Sequence, residues 1–244
     1  MQIPCQFCQS PVDHTASSCS ACGSNFHSAP QMSVIRPAGR PKMQVEVELA
    51  ITVDRTGSSL RFAQGIGKSV PIITSQIEGK ARKLTVWLQS HGDEDYGQSP
   101  VLLTNGGTAD QASQDLSKIV FDGGGDAEEH HLSAIEELAN SVPWNADPKN
   151  ARGALLAFMT ADSKPAGSGQ SARELGESLR SRGLLLYLIC EETPQFRELC
   201  KGAGGLMFPI SNDPDPKEMQ KIAGQLSASI VQTIATGGTV PLVI

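Results

Sequence analysis

From Met43 onward the apolar positions of this chain fall into short blocks separated by helical patterns. Blocks at 45–53 (VEVELAITV), 84–90, 100–104, 153–160, 184–190 and 206–210 are bounded by turn residues, as buried strands are. Around them, apolar residues recur at helical spacing over 59–79, 110–119, 128–141, 170–182, 194–201 and 215–235. Strands alternating with helices predict a mostly parallel sheet with helices on both faces. One link departs from this rule. The run HGDEDYGQS between the second and third blocks is too short for a helical crossover, so those two strands should pair antiparallel. The expected fold is α/β, a doubly wound six-stranded sheet with one antiparallel edge strand, over 44–236. Pro71 predicts a kink or an offset start in the first long helix.

The N-terminal part reads differently. Cys5-x2-Cys8 and Cys19-x2-Cys22 are two knuckles, each able to present two thiolates to one tetrahedral ion. A redox motif would be a single CxxC, and disulfides would need an oxidising compartment. The expectation is a structural zinc ribbon over 1–28, folded largely by its Zn²⁺. Pro, Gly, Ser and Arg then dominate 29–43, which reads as a linker, and 237–244 (GGTVPLVI) is an apolar tail.

A net charge of −6 and a pI near 5.4 argue against a general nucleic-acid or anionic-membrane binder, which needs a basic face. No apolar run is long enough for a membrane span, and the first residues lack the features of a secretory signal, so a cytoplasmic location is expected. Cys190 and Cys200 read as small core residues, and Trp87 as packing in the hairpin. Asp93, Glu94 and Asp95 read as a solvated turn, and His130 and His131 as exposed first-turn residues.

The chemistry gathers where strands run out. Asp54, Thr56 and Ser58 follow the first strand, Asp126 ends the loop Gly123-Gly124-Gly125-Asp126, and Asp162 closes the strand GALLAFMT. Open α/β sheets bind ligands at that end of their strands. Three carboxylates and two hydroxyls would suit a hard cation in an octahedral oxygen site. Each residue also has a local reading: Thr56 or Ser58 as helix caps, Asp126 with Glu129 as a capping box, Asp162 as a turn residue.

With these motifs in place, the chain from about 43 to 235 resembles a von Willebrand factor type A (vWA) domain of the bacterial intracellular type. The DRTGS segment is similar to that family's metal-ion-dependent adhesion site, written DxSxS. The resemblance implies that Thr56 and Ser58 bind Mg²⁺ or Mn²⁺ directly, with Asp54 and Asp162 acting often through water. Asp126 falls where many members have threonine, and Ala127-Glu128 follows it where the GGGD variant has Pro-Glu. The added carboxylate predicts tighter ion binding and weaker attraction for an acidic partner residue. The implied function is non-enzymatic binding of a protein partner, in a kinase, phosphatase or stress-resistance setting. Two other functions compete with it: a Mg²⁺-dependent phosphohydrolase using Asp54 as nucleophile, and nucleic-acid binding by the ribbon through Phe7 or Phe26. Gly67-Lys68-Ser69 is not a phosphate loop, because Phe62 stands where that motif needs glycine.

Overall fold

The computed structural model describes residues 2–4, 11–13, 21, 42–211 and 214–244. The chain divides into two compact units, Met1–Pro41 and Lys42–Ile244. In the first, β1 (Gln2–Pro4) and β2 (Pro11–Asp13) pair antiparallel. Cys5, Cys8, Cys19 and Cys22 lie outside the described residues, as do Phe7 and Phe26.

The second unit begins with β3 (Glu46–Asp54), α1 (Leu60–Glu78), β4 (Leu84–His91), β5 (Val101–Gly107) and α2 (Ala109–Leu116). It continues with β6 (Glu128–Glu129), α3 (His131–Ser141), β7 (Ala151–Met159), β8 (Asp162–Ser163) and α4 (Ala172–Ser181). Last come β9 (Leu185–Cys190), α5 (Pro194–Ala203), β10 (Leu206–Pro209) and α6 (Pro216–Ala235). The main sheet runs β10-β9-β7-β3-β4-β5, all parallel except β5, which pairs antiparallel with β4.

Alternate residues of the sheet serve two cores. Ala154, Leu156 and Phe158 of β7, with Leu185, Tyr187 and Ile189 of β9, pack under α1 and α6. Leu155, Ala157 and Met159, with Leu186, Leu188 and Cys190, pack under α3, α4 and α5. This period-two division is why those strands read as continuous apolar runs. Strand β3 sits in the middle, and Asp54 at its end is on the same side as Ala50 and Thr52.

Two features differ from expectation. The segment before α3 is not helical: Glu128 and Glu129 form β6, paired in parallel with Asp162 and Ser163 of β8, and α3 starts at His131. Asp126 and Glu129 therefore form no capping box. Pro71 lies inside a continuous α1 rather than at its start. Trp87 packs as expected, its ring 6.2 Å from that of Trp144. In the tail, the Leu242 amide donates to Thr233 (2.9 Å) and its carbonyl accepts from Ser229, while Val243 and Ile244 are exposed. Among the described residues no helix is long and apolar enough to cross a membrane.

Candidate metal centre

Asp54 is the hub. It is 1 % exposed and accepts four hydrogen bonds. The Thr56 amide and hydroxyl donate to Oδ1 at 2.9 and 2.7 Å, and the Ser59 and Thr160 hydroxyls donate to Oδ2 at 2.6 and 2.7 Å. Burial opposes its charge, but attraction from His131 and His91 and the bonds from Ser59 and Thr56 hold the carboxyl below its ordinary range.

Counting protons around Asp54 shows what the hydroxyls can do. The hydrogens of Thr56 and Thr160 both go to Asp54. Ser58 Oγ lies 2.9 Å from Thr56 Oγ1 and 3.1 Å from Thr160 Oγ1, and its single hydrogen can serve only one of these contacts. One of these two contacts is therefore left without a proton, as is that between Ser59 Oγ and Thr160 Oγ1 (3.0 Å), and lone pairs converge beside the exposed Ser58. Two ligands of a Mg²⁺-sized ion at right angles and about 2.1 Å from it lie about 3.0 Å apart. The spacing thus fits one edge of an octahedron, and neither Thr56 nor Ser59 uses its side chain to cap a helix. By contrast α2, α4, α5 and α6 all carry side-chain caps.

Beneath Asp54 runs a buried polar chain. His131 Nε2 contacts the Thr160 carbonyl, which can only accept, so this nitrogen carries the proton. With both rings neutral, His131 Nδ1 accepts from His91 Nε2 (2.8 Å), and His91 Nδ1 from the Thr52 hydroxyl (2.8 Å). Gln89 donates to the Ala134 carbonyl at 3.0 Å and approaches Thr52 at 3.4 Å. In this arrangement each ring carries one proton. Accordingly, burial and repulsion from His131 push His91 down to about 3, and burial lowers His131 too. His131, expected at the surface, is fully buried, with Nε2 3.9 Å from Asp54 Oδ2.

The glycine loop closes one side. Gly123 and Gly124 have φ of +96° and +80°, a region that favours glycine. A Cβ at Gly123 would fall 1.4 Å from Gln98 Nε2, and one at Gly125 2.1 Å from the Tyr96 ring. The Gly123 carbonyl accepts from the Gly57 amide at 3.1 Å, joining this loop to the DRTGS turn. Glu129 follows on β6, 3 % exposed, and its Oε2 has no partner. Burial, then repulsion from Asp54, Asp93 and Asp126, raises its carboxyl to about 7.

Asp126 is placed elsewhere. Its carboxylate is half exposed and lies 3.2 Å from Lys164 Nζ, which is also 3.0 Å from Asp93 and 2.6 Å from Asp95. Bonds to Asp95, then Asp93 and Asp126, keep this ammonium charged and push its pKa up, against its partial desolvation. Asp93, Asp95 and His130 each bring one ligand atom within 4.8 Å of the others, a spacing that could hold an ion. Lys164 already lies within salt-bridge range of both aspartates there. Asp93 is fully buried, whereas Glu94 and Asp95 are exposed as a solvated turn would have them.

The fold thus brings Asp54, Thr56 and Ser58 together and adds Thr160, Ser59, His91 and His131, none of which was singled out as a ligand. Thr160 could have been found by its place at the end of an apolar strand beside Asp162. His91 and Glu129 carry no local signal. Asp162 starts β8, half buried, with Oδ1 lacking a partner, close enough to favour charge on His131. Between Thr160 and Asp162, Ala161 has φ +60°, a left-handed conformation costing an L-residue about 1–2 kcal/mol.

No protein-family model and no curated protein sequence matches the chain. Among solved structures, the VWA domain of SpRpn10 aligns with a TM-score of 0.57 at 13 % identity, over 74 % of this chain and 95 % of that one. The mixed sheet with five parallel strands and one antiparallel edge is that of a vWA fold.

Proposed function

We propose that this chain is a protein-interaction module whose binding face is a Mg²⁺ or Mn²⁺ centre built on Asp54, Thr56 and Ser58. One observation carries the reading: Asp54, buried and charged, takes the hydroxyl hydrogens of Thr56 and Thr160 and leaves their lone pairs free to face a cation. No Lys or Arg forms an ion pair with Asp54 among the described residues. A hard divalent ion suits such all-oxygen donors and would offer an open position to an oxygen of a partner protein. Asp162 belongs to the same set through its unpartnered Oδ1. Asp126 is engaged by Lys164 instead, and its carboxylate would enter the set only by leaving that pair.

The burial of Asp54 and its four donors favour a holding role over that of a nucleophile, which must reach a substrate. The ribbon cysteines Cys5, Cys8, Cys19 and Cys22 are proposed as ligands of one structural Zn²⁺, to be checked by metal content of the purified chain. Calorimetric titration of Mg²⁺ and Mn²⁺ into wild type and Asp54→Asn tests the centre. The expected result is one site in the wild type, weakened by about tenfold or more in the variant. Equal affinity in both would refute it. Partner recognition at this face predicts binding that is lost in chelator as well as in Asp54→Asn.

A further inference from the structure

At the start of β7 the sheet carries a charge on a side otherwise given to apolar residues. Arg152 shares that side with Ala154, Leu156 and Phe158, which pack under α1 and α6. It pairs with Val47 at the opening of β3, so it lies about 23 Å along the sheet from Asp54 and the metal centre. At 7 % exposure it is the one buried arginine among the described residues. Arg61, Arg82, Arg173 and Arg197 each pair with a glutamate. Among the described residues Arg152 has no ion pair, and its one hydrogen bond runs from Nη2 to the Gly238 carbonyl. Most of the five N–H donors of its guanidinium are thus unspent. Tyr187 beside it is pushed up by burial and stays a neutral phenol, so it gives no counter-charge.

Arg152 lines a cleft of about 450 Å³, a volume typical of small-molecule sites. Arg182 lines it too, and no Asp or Glu does, although the chain carries a net charge of −6. The Ala139 carbonyl accepts from Trp144 Nε1 at 2.7 Å and from Arg182 Nη2 at 2.5 Å, which holds both side chains in the wall. Trp144 lies against β7 because residue 153 is glycine: a Cβ there would fall 2.7 Å from the indole and 2.6 Å from Leu184. Asp147, on the same segment, accepts from the Lys149 amide and the Asn150 side chain (2.9 and 2.8 Å) and stands outside the lining. We propose that this cleft binds a small organic oxyanion, a carboxylate or a phosphate monoester, with its charged head on Arg152 and its apolar part against Trp144. A guanidinium offers such a head two parallel donors. A charge desolvated without a partner is costly, and an anion entering the cleft supplies the missing one.

The test follows the arginine Nε–Hε signals of the full chain by nuclear magnetic resonance, at constant ionic strength and without Mg²⁺ or Mn²⁺, so that phosphate finds no ion at the Asp54 centre. The probes are phenyl phosphate, benzoate, inorganic phosphate and neutral phenol. Phenyl phosphate or benzoate should shift the Arg152 signal saturably, with a midpoint of about 1–10 mM, and the tighter of the two identifies the head group. Inorganic phosphate should bind at least about threefold more weakly, and phenol should leave Arg152 unmoved. Arg152→Gln should lose the affinity by about tenfold or more, as read from the indole signal of Trp144. Arg197→Gln, which removes the same charge from an exposed arginine outside the cleft, should stay within about twofold. An Arg152 signal unmoved by every anion overturns the proposal and leaves the residue a tether for the tail. Equal binding of inorganic phosphate and phenyl phosphate overturns the organic ligand. Both readings come from the wild type, so the test stands even if Arg152→Gln fails to fold.

Discussion

Thr160 supplies two atoms to the centre, and they do different work. Its hydroxyl donates to Asp54, while its carbonyl fixes the direction of the chain through His131 and His91. Both rings are thereby held neutral, which gives a pH dependence of definite sign. Below about pH 6.5 the unfolded chain takes up protons on both histidines, whereas folded His91 stays neutral to about 3. The unfolded state then binds more protons, so stability falls as pH falls. Glu129 acts the other way between 4.5 and about 7, because there the folded state holds the extra proton. His91 offsets Glu129 across this range and the lowered His131 adds to its side, so the net effect is loss of stability on acidification from pH 6.5 to 4.5. Glu129→Gln should steepen that loss by up to about tenfold in the folding constant per pH unit. Metal-free thermal melts of both proteins across this range measure it, and a wild type that gains stability on acidification would show that the imidazoles charge in place.

At the scale of elements, α4 and α5 touch backbone to backbone. A Cβ on Gly176 would fall 2.3 Å from the Leu199 carbonyl oxygen, and one on Gly202 would fall 2.2 Å from that of Arg173. Gly202→Ala should therefore cost about 2–3 kcal/mol by overpacking, roughly 5–10 °C in melting temperature for a domain of this size. Gly224→Ala in α6 meets nothing within 4 Å and should be neutral or gain up to about 1 kcal/mol. Differential scanning calorimetry of the two variants compares them directly. Neither glycine contact can be read from the chain, since a helical glycine looks alike whether it faces a neighbour or water. The elements themselves were legible: every apolar block became a strand, and the short HGDEDYGQS link did force the antiparallel pair of β4 and β5. The stretch before α3 misled because Glu128 and Glu129 suit a first helical turn, and only pairing with β8 makes them a strand.

For the whole Lys42–Ile244 unit, a cation bound only by the folded state adds stability by mass action. Mg²⁺ or Mn²⁺ at about a hundred times its dissociation constant should contribute about 2.7 kcal/mol, a rise of roughly 5–10 °C that chelator reverses and Asp54→Asn abolishes. A melting temperature indifferent to both ions would count against the centre. How much of that centre the sequence showed depends on distance along the chain. The DRTGS turn is local, so Asp54, Thr56 and Ser58 stood out together. Thr160, Glu129 and the histidines become partners only through the sheet, and no local pattern marks them. Lys164 is the clearest case: no motif marks it, yet it gathers Asp93, Asp95 and Asp126 and so decides where the charge of the glycine loop is spent.

The place of β3 in the sheet has a kinetic consequence. It is the first strand of its unit, yet it pairs with β7, and Thr160, just after β7, lies 106 residues beyond Asp54. Closing so long a loop is slow, and contacts of this range form late in folding. The hydroxyl set around Asp54 is therefore complete only once the middle of the sheet has closed, and a chain still emerging from synthesis would carry the DRTGS turn without a working site. On refolding, cation binding should report the last step, the docking of β7 against β3, and not the earlier collapse.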